Sequence, residues 1–143
     1  MPRVSPCAAI VLALVFGSAA IGAAASLSVW STARTVEIGA SVQVEATYPG
    51  TQGLTVHLFA GTATGSTLVW VNGKPVVIPV GGNVFAAGTA GMSNGAASID
   101  ASIPDDPSLI GERVCWVAVL VDASGRVVAI ARSGGPIIED AIC

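Results

Sequence analysis

The feature that most constrains the fold is a strict alternation of apolar and polar residues from Thr35 to Ala46. A period of two over twelve residues places one row of side chains in a core and the other in water, which is typical of a β-strand. Gly39 marks a bulge or bend within this run. Shorter runs follow, separated by turns rich in Gly and Pro, and no segment after residue 25 has sustained helical periodicity. We therefore predict an all-β chain, a single antiparallel β-sandwich of about eight or nine strands, formed by residues 26–143 as one domain.

The most specific local signal is Asn72-Gly73 between two apolar runs, which predicts a β-hairpin with a type I′ turn. The two-residue turn fixes the register, because Val71 and Lys74 must close it as a hydrogen-bonded pair. Pro75 and Pro79 then fall at non-hydrogen-bonded positions, where a backbone N–H points away from the partner strand. The second strand of the hairpin is therefore predicted to be an edge strand, since its prolines discourage further pairing.

Both faces of this hairpin are apolar. The candidate interaction surface on one face comprises Leu68, Trp70, Pro75, Val77 and Pro79. The opposite face comprises Val69, Val71, Val76, Ile78 and Val80. Only one face can meet the core, so the other is either covered by a loop or left as an exposed patch. Residues 88–95 are the candidate covering loop, and an exposed patch would serve a protein partner or self-association.

Residues 1–25 have the pattern of a secretory signal peptide. Arg3 supplies the positive charge, residues 8–25 carry none, and Ala23-Ala24-Ala25 before Ser26 is a small-residue cleavage site. The alternative is an uncleaved membrane anchor, because the apolar run is at the lower limit for spanning a bilayer. Cys7 precedes the apolar core and so does not fit a lipid attachment site. We predict a secreted, periplasmic or cell-surface protein that contacts the membrane only if this segment is uncleaved.

Cleavage would leave Cys115 and Cys143 as the two cysteines of the mature chain. An oxidising destination favours a disulfide between them, and two unpaired thiols are the alternative. If a last strand over 137–142 folded back beside 127–131, the two cysteines would lie about 25 Å apart, whereas a disulfide needs Cα atoms ~4.4–6.8 Å apart. We therefore expect the tail to leave the preceding strand after Gly134-Gly135-Pro136 and to return toward Cys115.

Charge excludes several classes of function. Six Lys and Arg against nine Asp and Glu give a net charge of -3, so the chain cannot build the basic stripe of a nucleic-acid-binding protein. A single histidine excludes histidine-based metal clusters, and the glycines form no phosphate-binding loop. We expect no cofactor and no nucleic-acid partner.

His57 is the only imidazole that could act as a general base. It lies on the polar side of the run 54–58, where a solvent-facing strand histidine is the alternative interpretation. The chain has no Gly-x-Ser-x-Gly elbow to supply a nucleophile, so the sequence favours a non-catalytic protein over a small hydrolase using His57.

Asp105 and Asp106, together with Asp100 or Asp122, could offer oxygen ligands to calcium. Their spacing matches no EF-hand loop. A proline-flanked turn, in which Asp is common, explains the pair better, so no metal site is predicted.

Exposed aromatic side chains could stack on sugar rings. The candidates for such a carbohydrate-binding surface are Trp30, Tyr48, Trp70 and Trp116. Trp116 lies within an all-apolar strand and is therefore interpreted as a core residue.

The segment 103–111 reads Ile-Pro-Asp-Asp-Pro-Ser-Leu-Ile-Gly, and it precedes an apolar strand over 114–121, then Asp122, then Ser133-Gly134. This pattern resembles the C-terminal part of small exported, immunoglobulin-like β-sandwich domains of bacterial cell-surface proteins. The resemblance covers residues 98–140, with a weaker echo in 39–61. Such strands often carry a glutamine after the aromatic residue, where this chain has Val117 or Ala118. The resemblance implies a β-sandwich fold and a cell-surface location, and it brings no catalytic residues.

Together these observations favour an exported, non-catalytic β-sandwich protein with a structural or protein-interaction role at the cell surface. A carbohydrate-binding module is the alternative.

Overall fold

The computed structural model describes residues 26–49 and 53–140, in which the chain is almost entirely β. Its ten strands are β1 (Ser28–Ser31), β2 (Thr35–Glu37), β3 (Ser41–Thr47), β4 (Thr55–Gly61), β5 (Thr67–Val71), β6 (Lys74–Ile78), β7 (Phe85–Gly91), β8 (Ala96–Ser102), β9 (Arg113–Val121) and β10 (Val127–Glu139). A 3₁₀ turn, Pro107–Leu109, precedes β9. None of the helical structure in these two ranges is long and apolar enough to cross a membrane. The all-β prediction is confirmed, and the predicted signal peptide lies outside the described residues.

Two sheets pack face to face. The smaller sheet has the order β1-β3-β8, and the larger has the order β2-β10-β9-β4-β7. Neighbouring strands are antiparallel except β2, which pairs parallel with β10, with Thr35 opposite Ile137. Strands β5 and β6 form a separate two-stranded hairpin. The fold is therefore sandwich-like, with one parallel pair that the sequence prediction of a purely antiparallel sheet did not include.

The main core fills the space between the two sheets. Each strand contributes the apolar half of its alternation, as in β3, where Val42, Val44 and Ala46 are buried. Trp116 of β9 is fully buried at the centre, and its indole N–H donates a 3.0 Å hydrogen bond to Ser31 Oγ. The interpretation of Trp116 as a core residue is confirmed, and the hydrogen bond satisfies the one polar atom of its side chain.

A second apolar cluster lies on the opposite face of the larger sheet. Strand β9 is buried on both faces, because its residues alternate between the main core and this outer cluster. The outer cluster joins Phe59, Cys115, Val117, Val119 and Val121 of the sheet to Val71, Val76, Ile78 and Val80 of the hairpin region. The β5–β6 hairpin therefore forms a third layer over the sandwich, and it explains why β9 is apolar at every position after Arg113.

The alternating run from Thr35 to Ala46 is two strands and not one. The chain turns at Gly39, whose φ is +78°, and passes from β2 in the larger sheet to β3 in the smaller sheet. Both strands direct their apolar residues into the same core from opposite sides. The alternation therefore continues in phase through the turn and conceals the change of sheet.

Residues 88–95 were expected to form a loop, and this expectation is wrong. Strand β7 extends to Gly91, and only a tight turn separates it from β8. The small residues of β7 reflect a close approach between strands, since a Cβ on Gly88 would stand 2.8 Å from Ile99 Cγ2. The segment is therefore part of the sandwich and is not a loop that covers the hairpin.

The chain also does not break at Gly134-Gly135-Pro136, as the sequence had suggested. Strand β10 runs beside β9 from Val127 to Glu139 and absorbs two register shifts on the way. The first shift places Cys115 opposite Gly134, and β10 then continues past it toward Arg113. As far as Asp140, where the described range ends, the chain therefore neither leaves β10 at the glycines nor folds back on it as a separate strand. Cys143 lies outside the described residues, so its pairing with Cys115 stays a prediction.

Candidate interaction surface

The hairpin has the turn and the register that the sequence predicts. Asn72 and Gly73 have φ values of +51° and +78°, as a type I′ turn requires. Val71 lies opposite Lys74, and Trp70 lies opposite Pro75. Within the described parts of the chain, β6 pairs with β5 alone, so its assignment as an edge strand is confirmed.

The outer face of the hairpin exposes large apolar side chains to solvent. Leu68, Trp70 and Val77 are 55%, 64% and 61% exposed, and Pro75 beside them is also exposed. Pro79 is half-buried at the base of the hairpin. Large exposed apolar residues of this kind, adjacent on one face, are uncommon away from contact sites. We refer to Leu68, Trp70, Pro75, Val77 and Pro79 as the hairpin face.

The opposite side of the hairpin explains why these residues stay in water. Val71, Val76 and Ile78 are buried against the outer cluster of the larger sheet. Because side chains alternate along each strand, a hairpin that buries this set must direct Trp70 and its neighbours outward. Burial of three aliphatic side chains contributes roughly 1.5–3 kcal/mol each, which opposes any flip of the hairpin.

Several contacts fasten the base and the tip of the hairpin. Thr67 Oγ1 donates a 2.6 Å hydrogen bond to the carbonyl of Val80, and an isolated bridge joins Ala63 to Gly81. At the tip, Lys74 Nζ lies beside Gly125 in the turn between β9 and β10. The hairpin face is therefore presented on a fixed element, a property that lowers the entropy lost when a partner binds.

Arg132 of β10 connects the larger sheet to the end of the hairpin. It lies opposite Val117, is only 5% exposed, and its Nη1 donates a hydrogen bond to the carbonyl of Pro79. Its Nε has no partner among the described residues, and burial lowers the pKa of the guanidinium. No sequence motif marks Arg132 as a residue of this surface. The sequence feature that could have identified Arg132 is its position in the strand after β9, which is apolar from Val114 onward. An outward side chain at that position faces the hairpin.

His57 lies on the outer face of β4, opposite Val119. The sequence left two alternatives for His57, a catalytic base and a solvent-facing residue. The side chain is not fully exposed to solvent, and the catalytic alternative stays untested. The ring is half-buried, its Nε2 is buried, and no hydrogen-bond partner for that atom occurs among the described residues. Burial lowers the pKa of His57.

Asp105 and Asp106 occupy the turn before β9. Asp106 caps the 3₁₀ turn, because its Oδ1 accepts hydrogen bonds from the N–H and the Oγ of Ser108, at 3.0 and 2.9 Å. The same contacts hold the pKa of Asp106 below its usual value. The described ranges contain no group of three or more His, Cys, Asp or Glu side chains that could hold a metal ion.

The outer face of the smaller sheet carries the second exposed tryptophan. Trp30 of β1 is 40% exposed and lies opposite Glu45 of β3. Ser98 of β8 donates a 3.0 Å hydrogen bond to Glu45 Oε2 and accepts one from Gln43 Nε2. Trp30, Glu45 and Ser98 therefore form a row across three strands, in which an aromatic ring lies beside hydrogen-bonded polar side chains.

No known family model matches the chain, and no curated protein matches it.

Proposed function

We propose that the chain is an exported, non-catalytic protein that binds another protein at the cell surface through the hairpin face. The observation that carries the proposal is the exposure of Leu68, Trp70 and Val77 by more than half, side by side on an anchored hairpin. Interfaces are enriched in aromatic residues at their centres, and a tryptophan there frequently contributes much of the binding energy. Because Trp70 is the one tryptophan of the hairpin face, we expect it to contribute most to binding.

The location rests on the N-terminal segment. Residues 1–25 have the charge, apolar run and small-residue cleavage site of a secretory signal peptide, and the resemblance of residues 98–140 to exported surface domains supports the same destination. The mature protein is expected to begin at Ser26, which an intact mass of the exported protein measures. A mass that retains residues 1–25 would indicate a membrane anchor instead.

Site-specific photo-crosslinking tests the interaction. A photoreactive residue placed at Trp70 in the exporting cells is expected to form covalent adducts with protein. The matched control places the same residue at Trp30, an exposed tryptophan on the opposite sheet. Absence of protein adducts at position 70, or equal adducts at both positions, would overturn the assignment of the hairpin face.

A carbohydrate-binding role is the second candidate, and the row on the smaller sheet favours it. Trp30 offers a ring for stacking, while Glu45 and Gln43 offer the oxygen and nitrogen atoms that sugar hydroxyls bind. Glycan-array binding that is lost in Trp30→Ala would support this role for the smaller sheet. Loss in Trp70→Ala instead would assign sugar binding to the hairpin face.

A further inference from the structure

The free edge of β5 differs from the free edge of β6. Since Val71 and Lys74 form the hydrogen-bonded pair next to the turn, Trp70 and Leu68 occupy the alternate positions of β5. Their backbone N–H and C=O groups point away from β6. No backbone partner for these groups occurs among the described residues, so β5 offers two donors and two acceptors along one edge.

The corresponding edge of β6 is blocked. Pro75 and Pro79 occupy its outward-pointing positions and have no N–H, which leaves Val77 as the single donor between them. Prolines at such positions are a common protection of edge strands against pairing with another chain. The hairpin thus protects one edge and leaves the other able to pair.

We propose that β5 pairs antiparallel with β5 of a second copy of this chain. In the two-fold register centred on Val69, Leu68 lies opposite Trp70 of the partner subunit, and each such pair exchanges two backbone hydrogen bonds. The four-stranded sheet that results has the order β6-β5-β5-β6. This inference rests on the proposed function, because it names the partner of the hairpin face.

Charge and symmetry favour a second copy over an unrelated peptide. The chain has no charged residue from Gly61 to Gly73, so two β5 strands meet without any like-charge pair. The two-fold axis makes every favourable contact twice. On the exposed side it brings the Leu68 and Trp70 side chains of each copy against those of the other, so apolar surface leaves water together with the backbone groups.

A matched pair of proline substitutions tests the edge. Leu68→Pro removes an outward donor of β5, and Val77→Pro removes the outward donor of β6 directly opposite, on the same face and at similar exposure. In sedimentation of the exported chain over a range of concentrations, we expect a reversible dimer. We expect Leu68→Pro to lower the association constant at least tenfold and Val77→Pro, whose backbone does not face the second copy, to lower it by much less. A monomer at all concentrations, or equal loss in both variants, would overturn the proposal.

A second variant guards against a misfolded hairpin. In the proposed register, Val69 faces its own copy across the two-fold axis at a non-hydrogen-bonded position, where Cα atoms are ~4.5 Å apart and a disulfide can form. Val69→Cys is therefore expected to give a disulfide-linked dimer under oxidising conditions, and Thr67→Cys is not. Equal crosslinking by both variants would contradict the register.

The two proposals can fail separately. Suppose that crosslinking at position 70 gives only adducts whose mass is not twice that of the chain, and that sedimentation shows a monomer. These results would overturn pairing between copies and leave the hairpin face as a protein-binding site. Absence of any adduct at position 70 would overturn both proposals. An adduct at twice the chain mass supports both.

Discussion

The guanidinium of Arg132 lies between the larger sheet and the hairpin, where Nη1 donates a hydrogen bond to the carbonyl of Pro79 and Nε has no partner among the described residues. Desolvating a buried charge is costly, and this cost offsets the hydrogen bond that Arg132 donates to the Pro79 carbonyl. We therefore expect Arg132→Met, which keeps a side chain of similar length, to leave the free energy of unfolding nearly unchanged. Arg132→Ala, which also removes the packed aliphatic stem, is expected to lower it by about 1–3 kcal/mol. Denaturant titration measures both, and a methionine variant less stable than the alanine variant would contradict this account.

The lowered pKa values of His57 and Asp122 predict that the free energy of unfolding decreases in two steps as the pH falls. Burial lowers the pKa of His57 below 6.5, so the unfolded chain takes up a proton first as the pH falls. The free energy of unfolding should be at its full value above pH 6.5 and should decrease below it, and His57→Gln should remove this decrease.

Hydrogen bonds from Ser124 Oγ and from the N–H of Arg126 lower the pKa of Asp122 to about 2. Its contribution should be lost between pH 3.8 and about 2, and Asp122→Asn should reduce that second decrease without removing it, because the pKa of Asp106 is lowered as well.

The β6 edge gives a prediction at the scale of one element. Replacing Pro75 and Pro79 together by Thr restores two outward N–H groups while keeping the carbonyl that Arg132 binds. With both hairpin edges able to pair, association should proceed beyond a dimer into larger assemblies. The matched control is Pro104→Thr with Pro107→Thr, since those prolines lie outside the strands. Sedimentation of both double variants measures the effect, and an unchanged distribution in the first would mean that the β6 edge is covered.

Local signals made the hairpin predictable at the level of single residue pairs. Asn72-Gly73 determined the turn, and the turn determined the pairing of Val71 with Lys74. The sequence could not decide which apolar face of the hairpin would be buried. That choice depends on β9, which supplies a second apolar surface and begins 35 residues after the end of β6, from Ile78 to Arg113.

Elements that depend on distant contacts were harder to predict. The alternation through Gly39 has the same phase in one long strand as in two strands that face a common core. Gly134 and Gly135 are typical of a chain break, yet in β10 they lie within a strand whose register shifts absorb them. The alternation of β10 could indicate that Arg132 faces outward, but not that it binds the carbonyl of Pro79, fifty-three residues away.

At the scale of the whole molecule, the predicted disulfide would join the tail to the central strand. Ile137 lies opposite Arg113, so Glu139 is four positions, or about 13 Å at ~3.3 Å per residue, along the sheet from Cys115. Residues 140–143 can span at most ~14 Å, which puts Cys143 within reach of Cys115. The bond is expected to stabilise the fold by about 3–4 kcal/mol. A thiol assay on denatured, unreduced mature protein should find no free thiol, and two thiols per chain would contradict the prediction.

The third layer also bears on the order in which the molecule folds. The outer side of β9 would be a continuous apolar strip if the hairpin were absent. The hairpin closes through a two-residue turn, and hairpins of this kind form in ~1–10 μs. The pairing of β9 with β4 joins Val56 to Leu120, sixty-four residues apart, and must wait for a much longer loop to close. The hairpin can therefore close before β9 pairs with β4, so the outer side of β9 can be covered as soon as that strand forms.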